Sequence, residues 1–435
     1  MVNANFSNRA YTNSYSHLKR AELTIPLGSQ TFSKSRTQYP IGISPLYLER
    51  GKGAEVWDVD GNKYIDLVSS LACITLGYGN RAVSRAVTKQ LQLGVNLSLP
   101  SKLEAEVSEL IAELVPSAEM VRFGKNGSDA TTAAIRLARA YTGRDHILTC
   151  GYHGWHDWFI GTTTRNKGVP RSVSSLTHKF EYNNIESLQS ILDSIPGQVA
   201  AVIMEPMNSQ FPQDDFLKKV SEIAHQSGAL LIFDETITGF RFSKGGAQEL
   251  FGIRPDLSTF GKGIANGFPL SAVVGRREIM MEMEEIFFSR TFGGELLSLT
   301  AAKIVLERYI NEDVCDKLAN IGMELSKKVN STIDSNNLNS VLNLSGHPAW
   351  QFLNWHATNE YSQEEIKTYF MQEVFNNGLL VLGTHNVNLS HTPKVIQEIS
   401  NIYEEVLGNL SRTLNEGTLR EKLEVPPLEP LFRIR

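Results

Sequence analysis

Lys262 stands between two glycines in FGKGIANGFPLSAVVG, residues 260–275. A solvated surface lysine needs no such clearance. Glycine permits sharp bends and close approach at a cost in chain entropy, so the pattern reads as a basic side chain that must reach another group. A deprotonated lysine amine condenses readily with an aldehyde. Asp234 closes the apolar run ALLIFDE, residues 229–235, where an unpaired carboxylate would be costly. Against a protonated ring nitrogen it gains a partner. Tyr152, in CGYHGWHD, follows another apolar run and offers a flat face. Gly127 and Ser128 fall where a loop turns into a helix, and free N–H groups and the helix dipole hold an anion at such a place. Pyridoxal phosphate combines an aldehyde, a ring nitrogen, a flat ring and a phosphate. The four kinds of residue match its four parts one for one.

Each residue alone also admits a plainer reading. Lys262 could be a loop lysine in water, Asp234 a structural ion pair or helix cap, and any helix opening on serine resembles Gly127-Ser128. His153, His156 and Asp157 share a loop, but their spacing is irregular and no distant third ligand is evident, so hydrogen bonds in the loop wall are expected and a metal is not. ALLIFDE has the look of a nucleotide-hydrolysing strand, yet G-x-x-x-x-G-K-[ST] occurs nowhere in the chain.

The elements that must position these residues read as alternating strands and helices. MVRF (120–123) is a short strand, and the helix after it opens at Ser128 and Asp129 and stops at Gly143. HILTC (146–150) is the next strand. QVAAVIME (198–205) is an unbroken apolar run, as a strand covered on both faces requires. FLKKVSEIAHQSG carries a helical stripe of Phe216, Val220, Ile223 and Ala224 and ends at a glycine. ALLIFDE and LSTF (257–260) are further strands. This order is that of βαβ units in a parallel sheet, whose carboxyl ends line the usual ligand crevice. Those ends supply Gly127-Ser128, Tyr152-His153, Glu205, Asp234-Glu235 and Lys262. Upstream, AEVWDVDGNKYIDL alternates around Asp60-Gly61 and predicts a hairpin. VPPLEPLFRIR at the end is too rich in proline for a helix.

The chain has 435 residues, 41% hydrophobic and 20% charged, with a formal net charge of −5. Nothing in that balance draws nucleic acid or an anionic membrane. No secretory leader or apolar run of membrane length is present, so a cytoplasmic location is expected. Cys73, Cys150 and Cys315 are too few and scattered for a disulfide framework and are expected to be buried free thiols.

Taken together, GSDA (127–130), GYHG (151–154), MEP (204–206), FDETITGFR (233–241), PDL (255–257), FGKGIANGFPLSAVVG and TFGGE (291–295) resemble the motifs of class III aminotransferases, in order and spacing. That resemblance implies the α/β architecture of fold-type I pyridoxal-phosphate transferases: a large domain with a mostly parallel sheet plus a smaller α+β domain. The divisions expected are an N-terminal segment 1–70, a large cofactor domain 71–320 and a small domain 321–435. By the same resemblance Lys262 bonds the cofactor and moves the proton, Asp234 partners the ring nitrogen, Tyr152 stacks on the ring, Glu205 joins the cofactor wall, and Gly127 and Ser128 hold the phosphate. Thr291 would reach the phosphate of another subunit, which implies a homodimer with shared sites. The partners implied are a small amino donor and a carbonyl acceptor.

The nearest branch resembles glutamate-1-semialdehyde aminomutase, an intramolecular amine transferase, but the match breaks around the substrate. Lys34, with Arg36 nearby, stands for that branch's N-terminal arginine. Ser70-Leu71-Ala72 replaces a Ser-Trp-Gly stretch. Thr162 lies in a threonine run in place of a serine-rich loop, Glu295 replaces an asparagine, Thr236 a valine, and the C-terminal carboxylate-binding arginine is missing. Lys34, Arg36, Thr162 and Glu295 are therefore the substrate-contact candidates. A wall of Thr162, Thr163, His156, His385, Asn386 and His391 would suit a polyhydroxylated substrate. IPLGSQTFSKS and FGKNGSDAT further resemble transaminases of bacterial surface-polysaccharide (lipopolysaccharide) synthesis. On that resemblance the acceptor expected is a sugar-acid aldehyde, 8-oxo-Kdo, with glutamate as donor. The aminomutase reaction is the alternative.

Overall fold

The computed structural model describes residues 9–429. Two compact units share the chain. One takes the chain through residue 71, residues 76–80 and the chain from 318 onward; the other takes 72–75 and 81–317. The N-terminal segment therefore does not form a division of its own.

The first unit opens with a helix, Thr12–Glu22, in a stretch that reads from sequence only as a lead-in. Strands β1 (Leu48–Lys52), β2 (Glu55–Asp58) and β3 (Lys63–Asp66) follow, antiparallel in turn. The expected hairpin is β2–β3. Its turn is held by Asp58, whose Oδ1 accepts from the backbone N–H of Asp60 at 3.0 Å and of Asn62 at 2.7 Å.

The second unit is built on a seven-stranded sheet: β4 (Met120–Gly124), β5 (His146–Cys150), β6 (Thr177–Lys179), β7 (Val199–Met204), β8 (Leu230–Asp234), β9 (Leu257–Phe260) and β10 (Ser271–Gly275). The spatial order is β4-β10-β9-β8-β7-β5-β6. Only β10 runs against its neighbours; the other contacts are parallel. Side chains alternate between the faces of each strand, and both faces are covered. Ala201, Ile203 and Ile232 pack on the alanine-rich face of the helix Gly127–Thr142, while Val202, Met204, Leu231 and Phe233 pack on Phe216, Val220 and Ala224 of the helix Phe216–Gln226. That two-sided burial is why β7 and β8 are apolar at every position before their last.

One helix start differs from expectation. The N-cap is Asn126 rather than Ser128. The Asp129 carboxylate three residues on accepts from the backbone N–H groups of Lys125 at 2.9 Å and Asn126 at 3.0 Å, so the helix begins earlier and Ser128 lies within its first turn. Cys150 and Cys315 are buried free thiols, but Cys73 is only partly buried.

The chain then returns to the first unit. Strands β11 (Leu342–His347), β12 (Trp350–Trp355) and β14 (Thr384–Asn386) form an antiparallel sheet, and β13 (Leu379–Leu380) pairs with β3 in parallel. This β13–β3 pair ties the two chain ends into one unit. His385, in β14, is buried with its Nε2 2.6 Å from the Tyr403 hydroxyl, and burial, aided by His391, lowers its pKa from 6.5 to about 3. Between those values the unfolded chain binds a proton that the folded chain refuses. Stability should therefore fall as pH drops below 6.5, by roughly 1.4 kcal/mol per pH unit from this residue. Urea titrations of wild type and His385→Gln between pH 7 and 5 should differ by about that slope; equal slopes would show that His385 titrates normally.

Candidate active site

The topology gathers the predicted residues on one sheet edge. Strands β4, β5, β7, β8 and β9 all run the same way, so their carboxyl ends open on the same side. There the chain places Gly127-Ser128, Tyr152, Glu205, Asp234 and Lys262. Lys262 sits in the connection from β9 to β10, in a turn of Lys262–Ala265 closed by Asn266. Both residues are left-handed, with φ of +41° and +45°. Asn266 Oδ1 accepts the Thr75 N–H at 3.0 Å, which pins the turn.

The glycines flanking Lys262 have a packing role. A Cβ on Gly261 would lie 3.2 Å from Thr236 Cγ2, and one on Gly263 would lie 3.1 Å from Thr75 Cγ2. They let the lysine turn close against two threonines. Lys262 itself is partly buried. Burial lowers its amine pKa, against the opposing fields of Cys73, Glu205 and Asp234. Amine and carboxylates thus share one electrostatic environment.

Asp234 is 4% exposed and almost saturated with donors. Its Oδ1 accepts from the Thr236 hydroxyl at 2.5 Å, the Thr236 N–H at 3.1 Å and the Thr259 hydroxyl at 3.0 Å. Its Oδ2 meets His153 Nδ1 at 2.8 Å. Burial by itself would raise the carboxyl pKa, but the His153 and Thr236 contacts outweigh it and the net direction is down. The other nitrogen of His153, Nε2, lies 3.2 Å from the Cys150 carbonyl. His153 is buried and its ring bridges Asp234 and the Cys150 carbonyl, so it orients Asp234, a larger role than the loop-wall hydrogen bond expected for it. Oδ2 keeps a lone pair for one further donor.

The 151–156 loop is fastened to the helix start. The Ser128 hydroxyl accepts the Trp155 N–H at 3.2 Å, and the Thr131 hydroxyl donates to the His153 carbonyl at 2.9 Å. Gly154, at φ +105°, has no room for a Cβ, which would collide with Ser128 Oγ. Glu205 Oε2 accepts the Tyr152 N–H at 3.0 Å, and burial raises the Glu205 pKa. Tyr152 is 46% exposed and edge-on to Phe159, which leaves ring surface open.

The other predicted contacts have the following partners within the chain. The Thr162 hydroxyl donates to the Phe159 carbonyl at 2.8 Å. Glu295 caps the helix Leu296–Asn311, accepting from the N–H groups of Leu297 and Ser298 and pairing with Lys125 at 3.0 Å. Thr291 is exposed, its carbonyl accepting from Asn96 at 3.1 Å. Lys34 and Arg36 belong to the first unit, where Arg36 pairs with Glu22 at 2.6 Å. The residues of the expected hydroxyl-binding wall already have partners within their own units. The Thr163 hydroxyl is spent on the Ile160 carbonyl, His156 on Thr132 and His385 on Tyr403. Asn386 and His391 are buried and bond the carbonyls of Val68 and Asp66. Sequence reasoning missed Thr259, which only the β8–β9 register sets beside Asp234. It also missed Arg241, fully buried with a guanidinium donating to the Ala72 carbonyl at 3.0 Å.

These side chains are of the kinds that a charged, flat, aldehyde-bearing cofactor would need. The family model described as Aminotransferase class-III matches residues 39–414, and the chain belongs to that family. A 3-aminobutyryl-CoA aminotransferase from Cloacimonas acidaminovorans (strain Evry) is 33% identical over 402 residues, covering 88% of this chain and 96% of its own. The FumI protein of Sphingopyxis sp. MTA144, solved in its PLP internal aldimine form, superposes with a TM-score of 0.86 at 26% identity, covering 96% of this chain and 99% of its own. A glutamate-1-semialdehyde aminomutase from Pseudomonas aeruginosa PAO1 shares the fold at 22% identity and a TM-score of 0.80, covering 92% of this chain and 95% of its own. The protein is a pyridoxal-phosphate-dependent aminotransferase of the fold-type I α/β class. Among the described residues, no helix is long and apolar enough to cross a membrane.

Proposed function

We propose that the cofactor lies between Lys262, Asp234 and the start of the helix Gly127–Thr142. The observation that supports this most is a buried, ionised carboxylate and a desolvated amine at the carboxyl ends of adjacent parallel strands. Bound there, pyridoxal phosphate supplies an aldehyde for the substrate amine and an electron-withdrawing ring. Lys262 bonds the cofactor at rest. Its amine would move a proton to and from the substrate carbon, and its lowered pKa favours the neutral, proton-accepting form. Asp234 would accept a hydrogen bond from the protonated ring nitrogen, and the His153 and Thr236 contacts keep its carboxylate ionised. Tyr152 covers the ring, Glu205 holds the Tyr152 backbone in place, and Gly127 and Ser128 offer N–H groups to the phosphate.

For the substrate we favour a short 3-amino acyl compound and its 3-oxo counterpart. The relative's name supports that class. The sugar-acid aldehyde rests on motif resemblance alone, and the threonine and histidine groups that could bind its hydroxyls already have partners within the chain. An absorption spectrum of the purified protein tests both levels. The protein should be yellow, and 3-aminobutyryl-CoA should bleach it faster than glutamate or an amino sugar acid. A colourless protein that cannot be reconstituted overturns the cofactor site. Bleaching by an 8-amino sugar acid alone restores the sugar-acid reading, and conversion of glutamate-1-semialdehyde without a donor restores the aminomutase.

We also propose a homodimer in which Thr291 reaches the partner's phosphate. LQLGVNLSLP exposes Leu91, Leu93, Val95, Leu97 and Leu99, the last 79% exposed, and Phe292 is exposed beside Thr291. So many exposed apolar side chains mark a protein contact. Sedimentation should give a dimer at micromolar protein, and Leu97→Asp with Leu99→Asp should yield an inactive monomer. A fully active wild-type monomer would end this part of the reading.

A further inference from the structure

The second unit contains a polar cavity of about 480 Å³, walled by the helix Lys102–Leu114, the edge strand β4 and the segment 288–294. It shares no residue with the cofactor site proposed above. Two guanidiniums line it, those of Arg122 and Arg290, and Glu104 is the single acidic side chain among its lining residues. Phe288 sets the two cations side by side. Its carbonyl accepts from Arg122 Nη2 at 3.4 Å, and its ring centroid lies 3.8 Å from Arg290 Cζ. Arg290 is held by Asp129, with Nε 3.3 Å from Oδ2.

These cations are poorly supplied with acceptors. A guanidinium is a fork of N–H donors. Among the described residues, Arg122 has the bond to the Phe288 carbonyl and no ion pair, and Arg290 has Asp129 alone. Asp129 Oδ2 is shared, since it also accepts the N–H groups of Lys125 and Asn126. Glu104 turns Oε1 to the Ser101 N–H at 3.0 Å. Burial lowers the Arg290 pKa, Asp129 opposes that shift, and the Arg122 charge adds to it. The two like charges therefore feel each other across the cavity wall. Holding them together costs free energy that an anion between them recovers. A phosphate near neutral pH carries close to two negative charges and can balance both cations, where a monoanion balances one. Guanidinium forks also match phosphate oxygens in shape.

We propose that this cavity is a phosphate site, with the dianion held between Arg122 and Arg290, either free or carried on a small ester. The volume is that of pockets that hold small organic molecules, so there is room for what the phosphate carries. The proposal is independent of the cofactor reading, and each can fail without the other.

Isothermal titration of the yellow holoenzyme, whose cofactor site is already filled, tests the proposal with inorganic phosphate, glycerol 3-phosphate, acetate and glycerol. Both phosphates should bind, and the tighter of the two identifies the source, free or esterified. Acetate should bind about tenfold more weakly or worse, and glycerol not at all. Arg122→Gln and Arg290→Gln should each weaken the phosphates about tenfold or more. Arg122 is exposed, so Arg122→Gln should keep the fold and the yellow colour. Acetate matching the phosphates, no phosphate binding to yellow, folded wild type, or unchanged phosphate binding to folded Arg122→Gln would each overturn the assignment.

Discussion

Lys262→Ala should lose transamination by about 10⁴-fold or more while its thermal midpoint stays within a few degrees of wild type. The activity loss follows if, as proposed, the Lys262 amine bonds the cofactor and moves the proton. The retained stability follows from burial, because the ammonium is desolvated and its loss relieves a cost as well as removing an attraction to Glu205 and Asp234. The left-handed backbone at 262 tolerates alanine no worse than lysine. Lys262→Arg sharpens the test. A guanidinium keeps the charge but does not release a proton near neutral pH, so this variant should be as inactive as alanine. Recovery of activity by arginine would show that charge, not proton transfer, is the contribution of residue 262. In wild type, the limb of the rate profile governed by the free amine should rise with pH through a midpoint below 10.5, the ordinary lysine value.

The second large effect is on stability as much as on rate. Asp234→Ala removes the only carboxylate hydrogen-bonded to His153, which is 2% exposed. Stranding one member of a buried pair costs roughly 3–5 kcal/mol, and the cofactor-free protein should show that loss in urea. Asp234→Asn keeps the shape and the Thr236 and Thr259 contacts. It should cost less stability yet still lose at least about 10²-fold in rate, because a neutral amide does not hold a ring nitrogen protonated. Wild type should also show the matching acid limb. The folded pKa of Asp234 lies below its ordinary 3.8, so its contribution is present above that value and is lost as pH falls through the lower folded one. Equal urea midpoints for Asp234→Ala and wild type in the cofactor-free state would show that the His153–Asp234 contact adds nothing to stability.

Much of the fold was legible because burial writes itself locally. A strand covered on both faces must be apolar throughout, so β7 and β8 stood out, and polar residues at the ends of such strands had to lie in the crevice. Lys262, Asp234, Glu205, Tyr152 and Ser128 were found that way, without any knowledge of strand order. The capping carboxylate of Asp129 was misplaced by the same local reasoning, because a serine and an aspartate at the start of a helix look alike whichever of them does the capping.

What the amino-acid order determined by itself was the kind of chemistry available and the edge of the sheet that carries it, since both depend on side-chain type and local periodicity. Only the tertiary structure decided who partners whom. His153 became the partner of Asp234 because folding set it between that carboxylate and the Cys150 carbonyl. Thr259 reached Asp234 through strand register, and Glu295 became a cap instead of a free contact. The same folding joined β13 to β3 and gave Thr163, His156 and His385 partners within the chain. Each of these depends on distances between residues far apart in the chain, which no local pattern encodes.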